Sequence, residues 1–168
     1  MSKLILFVCT GNTCRSPMAE YYFNHEMRKI NKENEYKAVS RGLRVAYGEP
    51  AALNAIKTLA SNNIIRNIRD INSDINNIAG IPHESKQIDG KIIEEADFIY
   101  GITEAHAKIL KEDFPQFQAK IFAMPENIGD PYGGSLEVYE ECFKNIKKAV
   151  DIIISGGIIT EEPKDAGE

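Results

Sequence analysis

An apolar run, Leu4-Ile5-Leu6-Phe7-Val8, ends in Cys9 and is followed at once by Thr10-Gly11-Asn12-Thr13-Cys14-Arg15-Ser16-Pro17. A continuous apolar run bounded by turn residues reads as a strand buried on both faces. Ser16 is the expected N-cap of the next element and Pro17 its first helical residue, where a missing N–H costs nothing. Met18, Tyr21, Tyr22 and Met27 then recur at helical spacing, so a helix is expected over residues 17–30. A buried strand that passes through a tight turn straight into a helix begins a βαβ unit, and the chain continues in that style. A strand is expected at 36–41, then a helix at 50–60 with Leu53, Ile56 and Leu59 on one stripe. A short helix at 91–96 and a strand at 97–102 follow. Thr103 should cap a helix over 104–114 that Pro115 stops. A fourth strand is expected at 120–123, and Ser135 should cap a last helix, 136–155, ended by Gly156-Gly157. Such alternation predicts an α/β fold in three layers, with a four-stranded parallel sheet between helices.

One segment fits less well. Residues 61–79 are rich in asparagine, while Ile64, Ile68, Ile71, Ile75 and Ile78 step by four and three. Both an amphipathic helix and an Asn-rich loop insertion fit that pattern. The expected layout is one domain over 1–158 with this insertion, then a frayed acidic tail at 159–168.

A length of 168 residues suits one domain, and 43% apolar residues suffice for a core. A net charge of −5 disfavours nucleic acid or an anionic membrane as a general partner. The apolar runs are too short to span a bilayer, and Met1-Ser2-Lys3 lacks the makings of a signal peptide. Three cysteines do not complete a disulfide framework, which points to a reducing, cytoplasmic setting. A monomer is the expected state.

Ligands of a parallel α/β sheet sit beyond the carboxyl ends of its strands, where Cys9 falls. The chain must turn sharply there, and Gly11 and Asn12 tolerate positive φ. Such a turn aims successive backbone N–H groups inward as an anion nest, and the helix N-terminus adds its positive dipole end. That setting favours a thiolate at Cys9. Arg15, six positions on, would grip two phosphoryl oxygens through its planar fork. Ser16 would donate its hydroxyl proton to the thiolate. Thr10, Gly11, Asn12, Thr13 and Cys14 line the same cradle. No G-x-x-x-x-G-K-[ST] occurs, a single Gly11 makes no dinucleotide fingerprint, and Cys9 with Cys14 has poor zinc-site spacing. Neither metal nor cofactor is expected. Asp130, within Gly129-Asp130-Pro131-Tyr132-Gly133-Gly134, follows the fourth strand at the same sheet edge. It is the candidate proton donor to a leaving group.

The cysteine loop and the Gly129–Gly134 stretch resemble the low-molecular-weight protein tyrosine phosphatase family, with weaker similarity at 39–43 and 80–88. The family includes related arsenate reductases and bacterial phosphoarginine phosphatases. The resemblance implies a phosphorylated protein substrate, Cys9 as nucleophile, Arg15 as phosphate ligand and Asp130 as general acid, then base. It also implies that Asn12 holds the loop, that Ser40 and His83 support Asn12, and that Cys14 can trap oxidised Cys9 as a disulfide. Tyr132 matches the family's aromatic wall beside the acid, with Gly133 where a second aromatic often stands. Tyr47 is a candidate for the opposite wall. Thr13 resembles the phosphoarginine phosphatases, since many tyrosine phosphatases carry a bulky aliphatic residue there. Phosphotyrosine is the leading substrate and phosphoarginine the alternative. Arsenate reduction would need a relay thiol, and Cys142 reads as core. A phosphopeptide binder would need neither Cys9 nor Asp130. His25 and His106 read as solvated.

Overall fold

The computed structural model describes residues 2–46, 48–65 and 81–158. Tyr47, most of the 61–79 segment and the tail from 159 lie outside the described residues. Four parallel strands, β1 (Lys3–Cys9), β2 (Tyr36–Gly42), β3 (Phe98–Gly101) and β4 (Ile121–Ala123), form one sheet in the order β2-β1-β3-β4. The helices are α1 (Arg15–Lys29), α2 (Leu53–Ser61), α3 (Gly90–Glu95), α4 (Glu104–Asp113) and α5 (Leu136–Ile153).

The pleat of β1 divides its side chains between two cores. Ile5, Phe7 and Cys9 face α1, α2 and α5, packing with Met18, Phe23, Leu59, Phe143 and Ile146. Leu6 and Val8 face α3 and α4, packing with Ile93, Ile99, Leu110 and Ile121. Burial on both faces explains why β1 reads as unbroken apolar sequence rather than as an alternation. Each fully buried Phe or Leu contributes about 2 kcal/mol to this arrangement.

The strand order places the site. β1 is central, β2 lies on one side of it and β3 on the other, so the chain reverses direction across the sheet at β1. A crevice opens at such a switch point beyond the strand ends, and Cys9 is the last residue of β1.

Several element ends differ from the expectation. Ser16 is not the N-cap of α1: Cys14 stands there without any side-chain cap, and Ser16 is the second helical residue. Pro17 still lies in the first turn, where it sacrifices no helical hydrogen bond. A six-residue 3₁₀ helix, Pro115–Lys120, precedes β4 where a plain stop was expected. The last helix ends at Ile153 and runs into a single π turn, Ile154–Ile158, in which Gly157 takes φ 117°. Thr103 and Ser135 cap α4 and α5 as expected. Of the 61–79 segment, Ser61 closes α2 and Ile64 packs into the core under it.

Candidate active site

β1 delivers Cys9 to the crevice with 3% of its surface exposed. The turn that follows rests on Asn12 alone, at φ 57°, since Gly11 does not adopt positive φ. A non-glycine residue held in the left-handed region needs compensation from its surroundings. Asn12 is fully buried and uses every side-chain hydrogen-bonding group. Its Nδ2 donates to Ser16 Oγ and to Ser40 Oγ, both at 2.9 Å, and its Oδ1 accepts from the Lys86 N–H at 3.0 Å. Its carbonyl oxygen lies 2.7 Å from His83 Nε2. A carbonyl only accepts, so His83 must carry its proton on Nε2. Burial lowers the His83 pKa, which favours that neutral form.

Ser16 gains a different role by not capping α1. Its oxygen accepts from Asn12, and its single proton has Cys9 Sγ at 2.9 Å as its nearer acceptor, the Arg41 carbonyl lying at 3.5 Å. A hydroxyl donating to sulfur favours the charged thiolate. No side chain caps α1, so the N-cap residue Cys14 occupies none of the first N–H groups that a helix start offers to an anion.

Arg15 is 6% exposed, an unusual state for a cation without a strong ion pair. Its Nη1 donates to the Ile128 carbonyl at 3.3 Å, while its Nη2 lies 3.8 Å from Asp130 Oδ2. The guanidinium thus reaches from α1 to the loop after β4 and holds donors available for an anion. Asp130 stands more exposed, and its Oδ1 accepts from the Tyr132 N–H at 3.0 Å, an Asx turn that fixes the carboxylate direction. Tyr132 projects from the rim with 80% of its surface exposed.

These residues surround one cleft of about 370 Å³, lined by residues 9–15, Arg44, Val45, Ala46, Glu49, Ser85, Asp130 and Tyr132. Thr13 is half-buried in its wall, with its hydroxyl 3.6 Å from Cys14 Sγ. Cys14 itself is buried, 3.2 Å from the Tyr139 hydroxyl, and burial pushes its thiol pKa up. Ser40 is buried beneath Asn12. Among the described residues, no group of three or more His, Cys, Asp or Glu side chains is placed to hold a metal ion.

The sequence reading missed the wall formed by Arg44, Val45, Ala46, Glu49 and Ser85. The signal was present: residues 43–46 leave the carboxyl end of β2, the same sheet edge as Cys9. His106, expected to be solvated, is buried. His25 is partly buried beside Glu26, and His106 is 6% exposed because its ring packs against Thr10 and Thr103. Helical spacing alone does not report that α4 begins against the phosphate loop.

Residues 4–156 match the family model described as low molecular weight phosphotyrosine protein phosphatase. The chain belongs to this family. Among relatives of this phosphatase, a protein-arginine-phosphatase from Bacillus subtilis is 28% identical over 144 residues, 82% of this chain and 85% of the relative. The low molecular weight phosphotyrosine protein phosphatase of Saccharomyces cerevisiae is 29% identical over 155 residues, 84% of this chain and 87% of the relative. The crystal structure of a low molecular weight protein tyrosine phosphatase from T. tengcongensis superposes with a TM-score of 0.77 at 31% identity, covering 92% of this chain and 99% of that one. The four-stranded parallel sheet is thus the fold of the low-molecular-weight phosphatases. Among the described residues of this phosphatase, no helix is long and apolar enough to cross a membrane.

Proposed function

We propose that this phosphatase dephosphorylates residues of other proteins, with phosphotyrosine as its main substrate, through a cysteinyl-phosphate on Cys9. The Ser16 hydroxyl, set 2.9 Å from Cys9 Sγ with its oxygen already occupied by Asn12, carries the reading. The Cys9 thiolate attacks phosphorus while the bond to the leaving oxygen breaks. Asp130 gives that oxygen its proton. Arg15 and the loop amides, with Thr10, Gly11, Asn12, Thr13, Cys14 and Ser16 around them, take the charge of the phosphoryl oxygens. Asp130, now a carboxylate, takes a proton from water, the water oxygen bonds phosphorus, and the sulfur leaves as thiolate. Ser40 and His83 act through Asn12 by keeping the loop in shape. The exposed ring of Tyr132 offers a stacking surface for the phosphotyrosine ring.

Cys14, the N-cap of α1, attacks the sulfenic acid of oxidised Cys9 and displaces water to form a disulfide, which fits a reducing cytoplasm that restores both thiols. Arsenate reduction gains no support. Cys142 is buried in α5, its thiol points at the Gly129 carbonyl, and burial raises its pKa to about 12.

Phosphoarginine is the second reading, favoured by Thr13 and Glu49 on the cleft wall. A small hydroxyl beside the nucleophile and a carboxylate at the mouth both suit a guanidinium. Parallel turnover of phosphotyrosine and phosphoarginine peptides decides between them. Faster phosphotyrosine hydrolysis is expected. Faster phosphoarginine hydrolysis, lost in Thr13→Ile, reverses the order. Turnover of neither sinks the phosphatase reading.

A further inference from the structure

His106 is the third residue of α4 and is 6% exposed, yet nothing in the reaction described above uses it. Both of its ring nitrogens are engaged. Nδ1 accepts from the Thr103 N–H at 3.2 Å, while Thr103 Oγ1 accepts from the His106 N–H at 3.2 Å, closing a capping box. A backbone N–H can only donate, so Nδ1 presents its lone pair and the ring proton lies on Nε2. Nε2 faces Thr10 Oγ1 at 3.0 Å and therefore donates to it. Burial and the Arg15 charge hold His106 neutral, with a pKa lowered to about 4, and the nearby Asp130 opposes this only in part. Thr10 is the residue directly after Cys9, and its carbonyl also accepts from the Arg44 N–H at 2.9 Å. Thr10 lines the active-site cleft, and together with His106 it also lines a neighbouring cleft beside Arg44 and Gln87.

The choice of histidine has a chemical reason. The third position of a capping box ordinarily holds Glu or Gln, an acceptor for the N-cap N–H. Glutamate would close the cap but would present no proton to Thr10. Imidazole closes the cap with one nitrogen and donates with the other.

We infer that His106 is a positioning residue for this phosphatase: its Nε2–H fixes the Thr10 hydroxyl so that the Thr10 proton points into the cleft toward bound substrate. Thr10 then makes the contact and His106 acts through it. The inference rests on the phosphatase reading above.

The test is a double-mutant cycle on the full chain, with p-nitrophenyl phosphate as probe and thermal melting in parallel. The Oδ1 of His106→Asn can still accept from the Thr103 N–H, but its side chain is too short to reach Thr10. Expected results are a melting temperature near wild type and kcat/KM lowered about tenfold, the scale of one hydrogen bond. Thr10→Val should lose as much, and the double variant should lose no more than either alone. His106→Gln, long enough to close the cap and reach Thr10, should recover most of the activity. The pH profile should keep its shape in every variant. Should His106→Asn melt early, His106→Glu replaces it, since it completes the cap without a donor. Multiplicative losses in the double variant, wild-type kcat/KM in His106→Asn, or a lost limb of the pH profile would each overturn the inference. A wild type that turns over no phosphate substrate removes the phosphatase reading and this inference together. An active wild type with an equally active His106→Asn removes only this inference.

Discussion

Asn12 bears more of the site than any other single side chain. It accepts a left-handed backbone, ties Ser16 and Ser40 together and receives the Lys86 N–H. Asn12→Ala would leave these buried partners unsatisfied and would place a Cβ residue in the left-handed region without local support. A loss of about 3 kcal/mol in unfolding free energy is expected, measured by urea titration. Activity should fall further than in Ser40→Ala, which removes one of those contacts. Asp130 is a different case, being exposed, with its Oδ1 on the Tyr132 N–H and its Oδ2 3.8 Å from Arg15. Asp130→Asn should fold normally and slow poor leaving groups about a hundredfold or more, but good ones much less. A leaving-group series measures this, and equal slowing across it would remove Asp130 from the acid role.

At the scale of elements, the site depends on how closely the end of β2 approaches the loop. A Cβ on Gly42 would stand 2.6 Å from Val45 Cγ2, 2.8 Å from the Thr10 carbonyl and 3.1 Å from Asn12 Cβ. Gly42→Ala should therefore displace the phosphate loop. Turnover should fall at least tenfold while circular dichroism still shows a folded chain, given an overpacking cost of about 1–3 kcal/mol. Elements of this kind were legible in the sequence where their signals are local. The run Leu4–Val8, the caps Thr103 and Ser135, and the Cys9–Arg15 spacing each carry their meaning within a few residues. Contacts made by folding were not legible. Ser16 looks like a cap until Asn12 occupies its oxygen, and His106 looks solvated until α4 packs on Thr10. The wall from Arg44 to Ser85 comes from segments about 40 residues apart, and no spacing rule connects them.

Over the whole molecule, buried titratable groups set the response of stability to pH. His106, with its pKa lowered to about 4, and His83, also lowered, bind protons more readily in the unfolded chain. Stability held by them is present above the ordinary histidine value of 6.5 and is lost as pH falls toward 4. Glu20 opposes this trend. Burial raises its pKa from 4.5 to about 7, against the hydrogen bonds from Ser40 and the pull of Arg41 and Lys37. The folded chain therefore binds the Glu20 proton more tightly, and its contribution is present at low pH and lost as pH rises through 7. Glu20→Gln should gain stability relative to wild type at pH 8 and show a steeper loss between pH 6.5 and 4, measured by denaturant titration at each pH. Equal stability differences at both ends would contradict the Glu20 assignment. The fold gathers β1, α1 and the loop after β4 around one sulfur atom, and the account stands on that atom forming a bond to phosphorus. Mass spectrometry of rapidly quenched Asp130→Asn enzyme with p-nitrophenyl phosphate tests it most directly. A phosphoryl group on the Cys9 peptide is expected, and none on the same peptide in Cys9→Ala. Phosphate on a different residue, or undiminished turnover by Cys9→Ala, would overturn the assignment of Cys9.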